Sequence, residues 1–110
     1  MAKTLDFNTL KKQHLPIVLA DDENTKLFIC TPTKKILDSF LNMRDSLTTD
    51  NMDDEALNEL YDIVAKVMSH NKAGKKITRE KVESVFDFED ILIFIRAYTD
   101  FISEVTGSKN

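Results

Sequence analysis

The stretch Asp87-Phe-Glu-Asp-Ile-Leu-Ile-Phe-Ile-Arg-Ala-Tyr-Thr-Asp-Phe-Ile-Ser-Glu-Val105 decides the fold. Asp87 reads as an N-cap, because its carboxylate can accept from the free N–H groups of a first turn that also carries Glu89 and Asp90. Apolar residues at 88, 91, 92, 95, 98, 102 and 105 keep the three-and-four spacing of a helix face. A helix over 87–105 is expected, with Gly107 as its stop. Ile91 to Ile95 is unbroken apolar, so this helix is greasy well beyond one stripe. Such a helix either lies at the centre of a small core or keeps one side for a partner.

Working back from that helix, Thr78 caps a short helix over 79–84, and Val82, Val85 and Phe86 tie it to the core. Leu57, Leu60, Tyr61, Val64, Val67 and Met68 mark the face of a helix over 54–70, capped by Asp53 or Asp54 and closed by Asn71-Lys-Ala-Gly74. A further helix over 32–47 shows Ile36, Leu37, Phe40, Leu41 and Leu47 on one face, with a polar break at Thr48 to Asp53 behind it. Thr31 is its expected cap, with Pro32 in the first helical position, where a missing N–H is no loss. Ahead of it, the β-rich runs His14 to Ala20 and Lys26 to Thr31 flank the polar link Asp21 to Thr25, a hairpin over about 14–31. Pro16 cannot donate to a ladder, which makes the first strand an edge or starts it near Ile17. Leu5 and Phe7 alternate like a short strand. The expectation is an α+β fold, an N-terminal β-hairpin followed by a bundle of about four mostly amphipathic helices.

Composition bounds the function. A chain of 110 residues makes one domain, 1–110, able to bury a core without disulfides or metal. The net charge of −4 argues against a general nucleic-acid binder, which needs a basic face to displace phosphate counterions. The doublets Lys11-Lys12, Lys34-Lys35 and Lys75-Lys76 read as solvated faces. Cys30 is alone, so a reducing cytoplasm is the natural setting, and its apolar neighbours make it a small core residue rather than a nucleophile. No apolar run approaches the span of a bilayer and the first residues lack a signal-peptide core, so a soluble intracellular protein without a membrane partner is expected.

Two stretches invite a calcium reading and fail on ligands. Asp50 to Glu55 has no glycine at the sixth loop position and meets Tyr61 at the twelfth. Ser69 to Glu80 places Gly74 and Glu80 correctly, but Ser69, Asn71 and Ala73 stand where carboxylates are needed. Two histidines and one cysteine in separate elements make no transition-metal cluster, and there is no glycine-rich phosphate loop. No catalytic residue, cofactor or metal is expected.

Several pieces, in order, resemble the small tail assembly chaperones of long-tailed, siphovirus-type phages and prophages of Gram-positive bacteria. Leu15-Pro-Ile-Val-Leu-Ala-Asp-Asp22 and Lys26-Leu-Phe-Ile-Cys-Thr-Pro-Thr-Lys-Lys35 are similar to their hairpin running into a Thr-Pro-Thr-Lys helix start. Asn71-Lys-Ala-Gly-Lys-Lys-Ile-Thr78 is similar to their turn between helices. Phe86-Asp-Phe-Glu-Asp-Ile91 and Tyr98-Thr-Asp-Phe-Ile102, with the Lys109-Asn110 end, are similar to their final helix. The resemblance implies a non-enzymatic protein of the host cytoplasm, absent from the mature virion. It binds the tape-measure protein, with the tail-tube protein and self-association as further contacts, and keeps it soluble while tube subunits polymerise.

A holdase needs exposed apolar area on a soluble surface. The expected binding face is the outer side of the last helix, Ile93, Phe94 and Phe101, with Ile91, Ile95, Tyr98 and Ile102 filling the core. The alternative is a helix buried on both sides by the hairpin and the helix of residues 57–68. Two rival functions remain at this stage. One is a small phage or prophage regulatory or host-interaction protein reading DNA through Arg79-Glu-Lys-Val-Glu83, where Glu80 and Glu83 oppose phosphate. The other is a minor structural tail component.

Overall fold

A computed structural model describes residues 4–7, 11–45 and 53–107. Two strands, β1 (His14–Val18) and β2 (Lys26–Cys30), are followed by four helices, α1 (Lys34–Asp45), α2 (Asp54–Ser69), α3 (Arg79–Val85) and α4 (Phe88–Thr106). The architecture is the expected α+β arrangement of hairpin and helices. Leu5 and Phe7 are exposed and belong to no strand. The expected roles of Leu47, of the polar break before Asp53 and of Lys109-Asn110 fall on residues 46–52 and 108–110, outside the described residues.

The helix starts follow from side chains that satisfy first-turn N–H groups. Asp53 accepts from Ala56 N at 2.9 Å and opens α2. Thr78 accepts from Lys81 N at 3.1 Å and opens α3. Asp87 and Asp90 form a reciprocal box at α4: Asp90 N donates to Asp87 Oδ1 at 2.8 Å and Asp87 N to Asp90 Oδ2 at 3.1 Å. Gly107 ends α4 at φ +68, a left-handed position that glycine adopts without a Cβ penalty. The expected cap of α1 is corrected. Thr33, not Thr31, accepts from Ile36 N at 3.3 Å, and Pro32 lies before the helix. With the cap at Thr33, Pro32 stands one residue ahead of it, where its fixed φ of about −65° suits extended backbone as well as helix.

β1 and β2 pair antiparallel, with Pro16 opposite Phe28 and Ile17 opposite Leu27. Across its other edge β2 meets the end of α2, as Cys30 N donates to His70 O and Lys72 N to Phe28 O, both at 2.9 Å. In an antiparallel ladder alternate residues face opposite edges, so Phe28 points its peptide groups away from β1. Pro16 therefore turns its nitrogen to the outer edge of β1, where no donor is needed, and β1 is the edge strand that the proline implies. Alternation places Leu15, Ile17, Leu27 and Ile29 on the core side and Pro16, Val18, Lys26 and Phe28 outside.

The core is centred on α2, whose Leu60, Ile63, Val64, Ala65, Val67 and Met68 are all buried. Phe40 and Met43 reach it from α1, and Leu19, Leu27 and Ile29 from the hairpin. α4 joins through aromatic rings. Tyr98 meets Phe40 edge-on at 4.9 Å between centroids and stacks on Phe94 at 5.8 Å, and Phe94 lies 6.4 Å from Phe86. Such offset and edge-to-face contacts add to the area the rings bury.

Candidate functional site

Three features of this fold offer surface to another molecule. The first is the outer side of α4. Its buried residues are Ile91, Phe94, Ile95, Tyr98 and Phe101, the three-and-four pattern of one face. That phase corrects the expectation for two of the three proposed contact residues. Phe94 and Phe101 keep only 4% and 5% of their surface and belong to the core, whereas Ile93 is 60% exposed. The physical reason is the set of ring contacts above: Phe94 lies three residues after Ile91 and four before Tyr98, on the same face as both. Phe88 and Leu92, which the apolar spacing put on one helix face with Ile91 and Ile95, are each 41% exposed instead. Phe88 and Leu92 are one helical turn apart, with Ile93 beside Leu92 and Glu89 one turn before Ile93. The helix is thus buried on one side only.

The second feature is the outer face of the hairpin, with Val18 and Phe28 exposed and the Lys26 ammonium 5.3 Å from the Phe28 ring centroid. A cation at this distance from the ring is attracted by its quadrupole and covers part of it. The hairpin is tied down at its turn. Asp21 accepts from Thr25 N at 2.8 Å, from Thr25 Oγ1 at 2.6 Å and from Lys81 Nζ of α3 at 3.0 Å. The Thr25 hydroxyl first, then the Thr25 N–H and the Lys81 ammonium, hold the Asp21 carboxyl well below the usual carboxylate range.

The third feature is a cleft of about 860 Å³ between α1, α2 and residues 76–80. Ile36, Ala65 and Ile77 give it an apolar floor. Lys35, Lys66, Lys76 and Arg79 stand around it with Asp62 and Glu80. Arg79 is engaged, at 3.4 Å from both Asp62 Oδ2 and Glu83 Oε2. Among the described residues Lys35, Lys66 and Lys76 make no ion pair. The wall formed by residues 71–77 is held by two side chains. Buried Asn71 donates to Met68 O and Lys75 O, both at 2.7 Å, and accepts from Lys75 N at 3.0 Å. The Ser69 hydroxyl accepts from Ile77 N at 2.9 Å and lies 2.8 and 2.9 Å from Ala65 O and Ile77 O, either of which can take its proton. Gly74, at φ +70, makes the turn in a region that other residues rarely enter.

Reading the lysine doublets as solvated faces missed this cleft, because Lys35, Lys66 and Lys76 come from three separate segments. The available signal was the pair of small residues Ala65 and Ser69, four apart on α2, which leaves a hollow on that face. Ser69 and Asn71, weighed earlier as loop ligands, are hydrogen-bonded to the backbone of their own turn. Among the described residues no group of three or more His, Cys, Asp or Glu converges as a metal site. Burial, then the charges of Asp87, Glu83 and Asp90, push the Tyr61 hydroxyl up, and burial pushes Tyr98 up, so both phenols stay neutral. Cys30 is a half-buried free thiol. Among the described residues no helix is long and apolar enough to cross a membrane.

Comparison of the chain with protein families, with curated proteins and with solved structures gives no match in any of the three.

Proposed function

We propose that this chain is a non-enzymatic tail assembly chaperone of a siphovirus-type phage or prophage. It binds the tape-measure protein in the cytoplasm of the bacterial host, keeps it soluble while tail-tube subunits polymerise, and is left out of the virion. The ordered resemblance of the hairpin, the Asn71 to Thr78 turn and the final helix supports the class. The observation that carries the binding role is the exposed apolar strip Phe88, Leu92 and Ile93 on a long helix of an acidic protein. Contiguous exposed apolar surface of this kind normally marks a partner site. A helical ruler presents apolar stripes of its own, and two such stripes cover each other by side-chain packing.

The regulatory reading draws little support from α3. Its Arg79 is held by Asp62 and Glu83 and its Lys81 by Asp21, so neither cation stands free for phosphate. The reading is tested by co-expressing the chain with the product of a neighbouring gene that encodes a very long helical protein. The expected result is a soluble complex where that product alone is insoluble. A product that stays insoluble with the chain present, or a chain that shifts nonspecific DNA at low salt, contradicts the proposal.

A further inference from the structure

We propose that the cleft between α1, α2 and residues 76–80 is a docking site for an acidic peptide segment of another protein, one that carries a large apolar side chain between carboxylates. This proposal stands on the cleft alone and does not rest on the chaperone reading. Three observations specify the occupant.

Charge is the first. The chain carries a net −4, yet this one hollow is ringed by Lys35, Lys66, Lys76 and Arg79 against Asp62 and Glu80. Three of those cations make no ion pair among the described residues. Their attraction for an anionic segment is therefore not already answered within the fold, and complementary charge of this kind fixes register and raises the association rate. The second is the floor. Ala65 and Ile77 are buried and Ile36 half-buried beneath the rim, so a large apolar side chain entering between the lysines leaves water for apolar contact. The third is size. At about 860 Å³ the cleft is far larger than a phosphate or carboxylate ion and suits several residues of a peptide. A nucleic acid fits poorly, since its regularly charged backbone needs an extended basic face and brings no large apolar side chain for the floor of Ile36, Ala65 and Ile77.

The wall that completes the cleft is rigid. The Asn71 and Ser69 hydrogen bonds fix residues 71–77 on the end of α2, and Arg79 bridges from α3 to Asp62. A site built before its ligand arrives does not have to be ordered on binding, which favours affinity.

The test uses the full chain and a short fluorescein-labelled peptide in which single leucines alternate with pairs of glutamates, read by fluorescence polarisation. Two control peptides carry lysine for every glutamate, or glycine for every leucine. Both controls should bind at least roughly tenfold more weakly, one for charge and one for lost apolar burial. Lys66→Glu combined with Lys76→Glu should weaken binding of the acidic peptide by roughly tenfold or more with an unchanged thermal melt, since both side chains are exposed. Lys35→Glu, on a different element, should weaken it in the same direction and serves if the double variant does not fold. Amide shifts of Ser39, Ala65 and Ile77 should move when the peptide is added to the unaltered chain. Undiminished binding by the charge-reversed variants, or equal binding of the glycine control, overturns the proposal. So does displacement of the peptide by duplex DNA. Self-association that Lys66→Glu with Lys76→Glu abolishes would make a second copy the occupant and overturn it as well.

Discussion

α2 and α4 are the two long apolar helices of this protein, and they are used differently. α2 receives side chains from α1 and the hairpin, and six of its residues are buried, three of them consecutive at Ile63 to Ala65. α4 buries Ile91, Phe94, Ile95, Tyr98 and Phe101 and leaves Phe88, Leu92 and Ile93 in water. Both helices have unbroken apolar runs, so hydrophobicity alone does not separate them. What separates them is the number of elements laid against each. A helix that is apolar on more sides than the fold covers is a helix with surface left for a partner.

The largest expected effect breaks the comparison on its buried side. Phe94→Ala should cost about 3–5 kcal/mol of folding stability, because it removes a core ring stacked on Tyr98. Ile93→Ala, one residue away, should cost under about 1 kcal/mol. Denaturant melts of the two variants measure the difference directly, and equal costs would mean that the phase of α4 is wrong.

Next comes the junction at the end of α2. Asn71→Ala removes two donations and one acceptance in a buried turn, and should cost about 1–3 kcal/mol in a thermal or denaturant melt. At the start of α1, Thr33→Ala should cost about 1 kcal/mol and Thr31→Ala less, since only Thr33 accepts from the first turn.

The smallest effect depends on pH. The Asp21 carboxyl titrates lower in the folded chain than in the unfolded one, so its contribution is present above the unfolded value of about 4 and is lost as pH falls below it. Asp21→Asn should be less stable than the unaltered chain at neutral pH, and the gap should narrow as melts are repeated toward strong acid. A gap that stays constant with pH would remove the carboxylate from the tether between hairpin and α3.

Much of the fold was legible because its punctuation is local. Asp53, Thr78, Asp87 and Gly107 each act on residues within one turn of themselves; Thr78, Asp87 and Gly107 stand where the sequence reading puts them, and of the two candidates Asp53 and Asp54 it is Asp53 that caps. The misreadings lie where two local solutions compete. Thr31 and Thr33 both suit a cap, and only the geometry after Pro32 decides between them. Ile91 to Ile95 satisfies two helical phases, one with Leu92 inward and one with Phe94 inward. The choice is made by Phe86, just ahead of the helix and packed on Phe94, and by Phe40, distant in sequence and packed on Tyr98. The basic cleft was illegible for the same reason. Its lysines come from α1, α2 and the turn before α3, and no local pattern joins them.

The central claim is that the outer side of α4 is kept for a partner. It is tested most directly by one substitution, Ile93→Asp, measured on one sample for both melting and binding to a soluble fragment of the tape-measure protein. The account predicts a melt close to that of the unaltered chain and binding at least roughly tenfold weaker, as expected when an apolar anchor is replaced by a charge in a desolvated contact. Unchanged binding at an unchanged melt would contradict it.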